Sequence, residues 1–583
     1  MGFRFHTKTA NNEKGPTYFF SFRDLQNFAE ESAGKNAPPE HLSLGANFSD
    51  WYSGTSDLVK SLYRDLCADA PQIWAHCSEP TERTIREAKI LTGNLSLYVS
   101  QRLARSIAQL ERLPPALTLD IQNSELPTRL VISGSDSTKA AIQTVRSEQF
   151  DELVDLLATN YKFGFASSIS VEIGPNSFEE NQVSSIAGRL YLKVASIISR
   201  LSQRNQVSIS SSYLGRITEQ LLQVSLRQWP ALTELRPPTS PPNLPRRETR
   251  VEVSGTASLR QIAFSLLTSL APTSLVGDFS KTLSAAYDNG FSRSPLVVFT
   301  ANSFEADDQF KAHLVAALPK AKYVVAQHGV GYGVSLTRSL CPEQEASDLF
   351  LSWGWGESSE KVHPVGMIKK KIIPRHKRLR GVTLFLRPEK FMYHLCADMG
   401  EPNEHYFSAI LKLCRELDEL GVDTRVRVHH TTPKPIKAKL GWEIRNYPSV
   451  SLDDAGKSMS SLLASGQGIV FTYDSTGMLE LATSGVPFFS FMPEGLELIN
   501  PKFMPNYKAL SMAGLLSEEP SSSAAMISTW LRRGQSSERH YSHALMDFCR
   551  GLAFRPRSRV GSLRSLLRLA SRSFPAAHEN AQS

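Results

Sequence analysis

Gly468-Ile-Val-Phe-Thr-Tyr-Asp474-Ser475-Thr476-Gly477-Met-Leu-Glu-Leu-Ala-Thr-Ser484-Gly-Val486-Pro-Phe-Phe-Ser-Phe491 is the stretch from which the fold can be read. The apolar run 468–472 has the length and composition of a buried strand, and 486–491 is a second. Between them, 476–484 carries its apolar residues at helical spacing. A strand, a helix and a strand in so short a stretch imply parallel neighbours with a helix across one face. The turn at 473–477 falls at a strand's carboxyl end, where open parallel sheets bind ligands. The opening turn of a helix leaves backbone N–H groups unpaired, and two hydroxyls stand beside them. Asp474, Ser475, Thr476 and Gly477 are therefore candidate phosphate-binding residues. Asp474 or Ser475 would serve equally as a helix cap, and the sequence leaves both uses open.

The same rhythm continues upstream. Apolar runs at Leu296–Thr300, Tyr323–Ala326, Leu349–Trp353, Val382–Leu386 and Val426–Val428 read as strands, and His405–Leu420 and Asp453–Ala464 as helices. Strands alternating with helices predict an α/β protein with two parallel sheets, each covered on both faces. Residues 1–235 read as a helix-rich N-terminal region, with helical spacing at Phe150 to Leu157 and Val183 to Leu201 and one short strand at Thr128–Ser133. Five prolines between Arg236 and Arg246 mark a linker, 236–250. Two sheet domains follow, 251–378 and 379–510, joined at the basic stretch Lys369–Arg378, which reads as an exposed hinge. C-terminal helices and a basic tail occupy 511–583.

Composition excludes several classes. The 583 residues carry 65 Lys and Arg against 57 acidic residues, a formal charge of +8. That mild excess suits an anionic substrate or surface without calling for nucleic acid. The six cysteines form no CxxC pair, so neither a zinc site nor a disulfide framework is expected. No signal peptide and no membrane-spanning run is apparent, so a cytoplasmic protein is expected, serving any membrane pathway from its inner face. Arg555–Arg572 holds six arginines, with Leu563, Leu566, Leu567 and Ala570 on one helical face. Such a helix either lies on an anionic membrane or packs across the protein.

Four further stretches could carry chemistry. In Arg425–Lys434 a strand delivers His429, His430 and Lys434 to a loop; one histidine of the pair would face a cleft and donate to a phosphate or move a proton. In Val324–Val334 a buried strand runs into Gln327 and His328, then Gly329, Gly331, Tyr332 and Gly333. Glycines at that density let a backbone turn sharply beside a ligand, and His328 becomes a candidate catalytic acid or base. The spacing is not that of a dinucleotide fingerprint. In Asn302–Lys311, Glu305, Asp307 and Asp308 are candidate bases or nucleophiles, although acidic residues are common in a first helical turn. Trp353 and Trp355 stand two apart at a strand end, where they would stack on a ligand or fill a core.

Taken together, Gln327-His328-Gly329 with the following Gly-Tyr-Gly, Asp348 through Trp355, and Asp474-Ser475-Thr476 with Leu479-Glu480 resemble a family of transferases of bacterial capsule and O-antigen biosynthesis clusters. The resemblance is firm over about 296–490. A broader similarity joins the chain to sialyl- and Kdo-transferases, which hold the phosphate of a CMP-sugar with a His-Pro and a Ser-Ser or Ser-Thr motif. His430-Thr431 stands in the place of the first, with threonine for proline, and Ser475-Thr476 in that of the second. The resemblance implies a GT-B-like pair of Rossmann-type parallel-sheet domains facing a cleft. It implies glycosyl transfer from a nucleotide-sugar substrate, favouring a CMP-linked acidic sugar, to a glycan or lipid-linked acceptor, with no metal and no further cofactor. His328, Asp308 and Glu305 would be catalytic; Ser475, Thr476, His430, Lys434, Asp474 and Gly477 would hold the nucleotide. Alternatives are a CDP-polyol phosphotransferase, a nucleotide-sugar epimerase, or a non-catalytic basic protein binding a membrane or nucleic acid.

Overall fold

The computed structural model describes residues 3–8, 14–19, 48–74, 81–111, 120–121, 129–133, 137–145, 167–174, 201–231, 248–253, 257–336, 340–356, 361–372, 379–387, 401–429, 434–453, 456–533 except 494 and 498, and 537–572, with isolated positions between. The chain forms two compact units. One comprises 1–200, 232–291 and 303–319; the other comprises 201–231, 292–302 and 320–583.

The first unit is built on helices Phe48–Asp69, Glu82–Glu111 and Leu259–Leu270. The last of these begins with a capping box, Ser258 and Gln261 each closing the other's free backbone N–H. A three-stranded sheet pairs Arg129–Ser133 in parallel and Glu248–Val253 antiparallel with the central Ser167–Gly174. The strand expected at 128–133 is present. Of the helical stretch expected at Val183 to Leu201, all but Leu201 lies outside the described residues.

Both parallel sheets lie in the second unit. The first holds β1 (Val207–Ser210), β2 (Val297–Thr300), β3 (Lys322–Ala326), β4 (Leu349–Ser352) and β5 (Val362–Pro364), hydrogen-bonded in that order and all parallel. Its edge strand β1 lies upstream of the proline-rich segment, in the stretch read from sequence as helical. A strand of four residues followed by Ser211-Ser212 offers no period to read. The second sheet holds β6 (Gly381–Phe385), β7 (Asp423–Arg427), β8 (Val450–Leu452), β9 (Gln467–Phe471), β10 (Phe489–Phe491) and β11 (Leu516–Ser517), in the order β8-β7-β6-β9-β10-β11. All pairs are parallel, and the order in which the chain adds strands to the sheet reverses between β6 and β9. Ligands of such sheets bind outside the carboxyl ends of the strands at that point. The two-sheet α/β architecture expected from the sequence is therefore the one observed.

Three helices each come after a strand in the chain: α1 (Arg216–Ser225) after β1, α2 (Glu401–Glu419) after β6, and α3 (Thr476–Ala482) after β9. The core of the second sheet is continuous with Val330, Val334 and Trp353 from the ends of β3 and β4. A last helix, α4 (Arg559–Arg572), returns to the first sheet. Its Leu563, Leu567 and Ala570 are buried with Val207, Val297 and Leu351, and Leu566 packs beside them. Burying each leucine this way contributes about 1.5–3 kcal/mol. Of the two readings left open by the sequence, this face packs across the protein: its apolar residues are used inside it. Arg555, Arg559 and Arg568 bond to the carbonyls of Lys369, Ile368 and Ser225. No helix among the described residues is long and apolar enough to cross a membrane.

Candidate functional site

The carboxyl end of β3 leads into the glycine-rich turn, and one side chain fixes its shape. Gln327 is buried; its backbone N–H donates to Leu351 at 2.8 Å, and its Nε2 to Gly329 O at 2.8 Å. Its Oε1 accepts from the Trp353 backbone N–H at 2.8 Å and from Trp355 Nε1 at 2.9 Å. One amide thus ties the end of β3 to the end of β4. Gly333 takes φ +72°, and a Cβ there would lie 3.2 Å from the Trp355 ring, so glycine serves both the backbone and the contact. The turn is also stitched to the second sheet. Asn500 N–H donates to Val334 O at 2.7 Å, its Nδ2 to Gly333 O at 3.1 Å, and Val330 N–H to Thr476 Oγ1 at 3.1 Å.

His328 stands half-buried at this junction. Its Nδ1 lies 2.9 Å and its Nε2 3.3 Å from the hydroxyl of Tyr332, which is 2% exposed. That hydroxyl donates its one hydrogen to the buried Glu343 carboxylate. The Tyr332 oxygen is left to accept from whichever ring nitrogen carries a proton, and Nδ1 is the nearer. Glu343, Tyr332 and His328 form a chain ending in a nitrogen able to take a proton. The Tyr213 ring stacks on His328 at 5.8 Å between centroids and 24° between planes. Tyr213 holds φ +60° and Ser211 φ +47°, a left-handed backbone rare outside glycine. Glu219, buried, braces the bend by accepting from Ser212 Oγ at 2.5 Å.

Two cations complete the setting. Lys369 Nζ lies 5.1 Å from the Tyr213 ring centre and 5.8 Å from that of Trp353, and pairs with Glu480 Oε1 of α3 at 3.0 Å. Lys369 is therefore anchored, while Lys370 and Lys371 beside it are exposed; residues 373–378 lie outside the described residues. Arg387 follows β6 at the point where the second sheet reverses. Its guanidinium carbon is 4.2 Å from the centre of the Tyr406 ring, and it is 5% exposed. Tyr406 Oη accepts from Arg387 N–H at 3.0 Å and is 2.5 Å from Thr472 Oγ1, holding the ends of β6 and β9 together.

The 473–477 turn resolves into distinct roles. Ser475 caps α3 by accepting from Gly477 N–H at 3.2 Å. Asp474 Oδ1 accepts from Tyr507 Oη at 2.5 Å; burial, then the Asp474 charge, push that phenol well above its ordinary range. Thr476 accepts from Val330, leaving its own hydroxyl hydrogen to donate. A Cβ on Gly477 would lie 2.6 Å from the Phe471 ring and 3.3 Å from Met459 Sδ. Gly477→Ala is expected to cost about 1–3 kcal/mol by overpacking, read as a lowered denaturant midpoint with unchanged slope. An unchanged midpoint would show that the ring moves freely.

Asp308 belongs to the other unit. Its oxygens accept from Thr138 N–H at 3.1 and 3.2 Å, and Oδ2 accepts from Ser274 Oγ at 2.7 Å. Asp307 caps helix Asp308–Ala317, and Glu305 accepts at its backbone from Asn94, 3.5 Å away. These acids and His328 are thus held in different units. His430 lies outside the described residues, and Lys434 begins a helix, 434–443. Glu343, Arg387 and Tyr213 were not singled out from sequence, and Lys369 was read only as the start of the basic stretch. Arg387 had a usable signal, a cation ending a strand. Glu343 had none, because its value lies in reaching Tyr332. Among the described residues no group of three or more His, Cys, Asp or Glu is placed to hold a metal ion.

No match was found among curated protein sequences. Among solved structures the chain is similar to TarM at 11% identity, over 47% of this chain and 54% of that one, with a TM-score of 0.28. The chain thus spans about half the length of TarM. It is similar to the Thermobaculum terrenum O-GlcNAc transferase at 11% identity, over 90% of this chain and 98% of that one, TM-score 0.32. The wall teichoic acid polymerase TagF matches at 10%, over 68% and 98%, TM-score 0.32. Residues 152–532, which carry both glycine-bearing turns and every strand of the two parallel sheets, match the LIC12162 family transferase profile, and the chain belongs to that family of transferases.

Proposed function

We propose that the chain transfers a glycosyl group from a nucleotide-activated donor to a hydroxyl acceptor, with His328 as the base that takes the acceptor's proton. The observation that carries this reading is the Glu343–Tyr332–His328 chain at a strand's carboxyl end, bonded through its turn to Thr476 of the second sheet. As the acceptor oxygen attacks the anomeric carbon and the bond to the donor phosphate breaks, the acceptor proton passes to the ring nitrogen of His328 that carries no proton. The imidazolium so formed is stabilised through Tyr332 by the Glu343 charge. Negative charge develops on the leaving phosphate, and Arg387, Lys369 and the Thr476 hydroxyl are the groups proposed to meet it. Ser475 holds α3 in register for that contact, and Gln327, Gly329, Gly331 and Gly333 shape the turn. Sugar transfer of this kind uses charge already built into the protein, and no residue is assigned to a metal.

Among donors, a CMP-linked acidic sugar is favoured, on the similarity of the Ser475-Thr476 pair to the hydroxyl motif of CMP-sugar transferases. A surface polysaccharide is the proposed acceptor. A thermal-shift series with CMP, CDP, UDP, GDP and TDP tests this. A ligand that binds only the folded state raises the melting temperature by mass action. The expected result is a shift with CMP that is lost in Thr476→Val and Arg387→Ala. A shift confined to UDP or GDP would discard the CMP assignment, and one with CDP would direct the search to a phosphorus-containing product. No shift with any nucleotide would overturn the reading.

A further inference from the structure

We infer that the exposed face of α1 is a docking surface for an anionic lipid membrane. The inference stands apart from the proposed chemistry. Helix α1 is amphipathic in an unusual sense: it buries Glu219, Leu222 and Gln223 and exposes Ile217, Leu221 and Val224. These three positions, four and three apart, share one face of the helix. They are 75%, 57% and 57% exposed, and Trp229, just beyond the helix, is 57% exposed. Scattered apolar side chains on a surface are ordinary, but a helical stripe of them is not, and such stripes mark contact sites.

The charge around the stripe selects the occupant. The stretch 211–231 contains one acidic residue, Glu219, which is buried and bonded to Ser212. The packed neighbour α4 and the loop before it, 551–572, contain none and carry six arginines. Arg216, Arg227, Arg557 and Arg564 are exposed. Arg568 reaches the carbonyl of Ser225 at the end of α1 at 2.9 Å, so the two helices form one basic surface with the apolar stripe on it. A helix with an exposed aliphatic stripe and a tryptophan just beyond it, flanked by Arg216 and Arg227 and bonded to an arginine-rich helix, matches a bilayer's anionic headgroups over hydrocarbon. A partner protein would not require the uniform sign. The same α4 arginines that suggested a membrane from sequence are thus recruited, but the inserting residues belong to α1.

The test is cosedimentation of the full chain with phosphatidylcholine vesicles prepared with and without phosphatidylglycerol, beside the double variant Leu221→Glu/Val224→Glu. Both positions are exposed, so the variant should melt with the wild type, and circular dichroism checks that. The expected result is binding to the anionic vesicles only, released by raised salt, and weakened more than about tenfold in the variant. Trp229 emission should shift to the blue on binding, and Trp229→Phe should remove that shift. No binding to anionic vesicles, or equal binding by wild type and variant, would overturn the inference. So would a concentration-dependent dimer in light scattering that the variant dissolves, because a second copy would then be the occupant.

Discussion

Replacing His328 by alanine is expected to lower turnover by about two to four orders of magnitude, the usual contribution of a positioned acid or base, while leaving the nucleotide-induced rise in melting temperature intact. The separation follows from chain position: His328 lies at the end of β3, whereas Lys369, Arg387 and Thr476, proposed to hold phosphate, follow β5, β6 and β9. Two companions separate catalysis from scaffolding. Tyr332→Phe removes the hydroxyl that links His328 to Glu343, and Glu343→Gln keeps the shape while removing the charge that stabilises the imidazolium. Each should lower turnover about tenfold or more and displace the pH–rate profile, with little change in the concentration of donor needed for half-saturation. A merely structural role would move the melting temperature and leave the profile where it was. If His328→Ala retained most of its turnover, another residue would be the base.

The second large effect concerns the first unit and its stability against acid. Burial pushes the His313 imidazole down to about 3; the ring is 1% exposed and packs 5.0 Å from Phe291. Its unfolded value is near 6.5. Between those values the unfolded chain binds a proton that the folded one refuses, so this contribution to stability is present above about 6.5 and lost as pH falls toward 3. Fully expressed, it amounts to about 4–5 kcal/mol, an upper figure. Asp307 has the opposite sign. Burial first of all raises its carboxyl to about 6, so its neutral form is favoured and stability falls as pH rises from about 4 to 6. The two oppose each other in that window. Relative to wild type, His313→Phe should lose its acid sensitivity, so that melting temperature falls from pH 4 to 6. Asp307→Asn, which keeps a helix cap, should instead show a steeper rise. Parallel curves for all three proteins would mean that neither group is buried as described.

Strands were legible where apolar runs were long and flanked by turn residues. The runs at 296–300, 323–326, 349–353, 382–386 and 468–472 correspond to β2, β3, β4, β6 and β9 within a residue or two. Edge strands were not. β1, β5, β8 and β11 have two to four residues each, too few for a period to declare itself, and they pair because neighbours present open hydrogen-bonding edges. For the tail helix the sequence left two readings open. The spacing of Leu563, Leu567 and Ala570 gives a helix with one apolar face, but periodicity is silent on whether protein or lipid covers it.

The amino-acid sequence by itself determined the α/β class, the glycine-bearing turn after Gln327-His328, and the hydroxyl pair beginning α3. Each is local: a few consecutive residues set the strand, the turn and the cap, through backbone sterics and nearest-neighbour hydrogen bonds. Only the tertiary structure decided that Glu343 reaches Tyr332 and through it His328, that Thr476 is bonded to the histidine turn, and that Asp308 is engaged in a different unit. Those contacts join residues up to about 170 positions apart. A pairing across that distance depends on how whole sheets and helices pack, which no local pattern of residue types records.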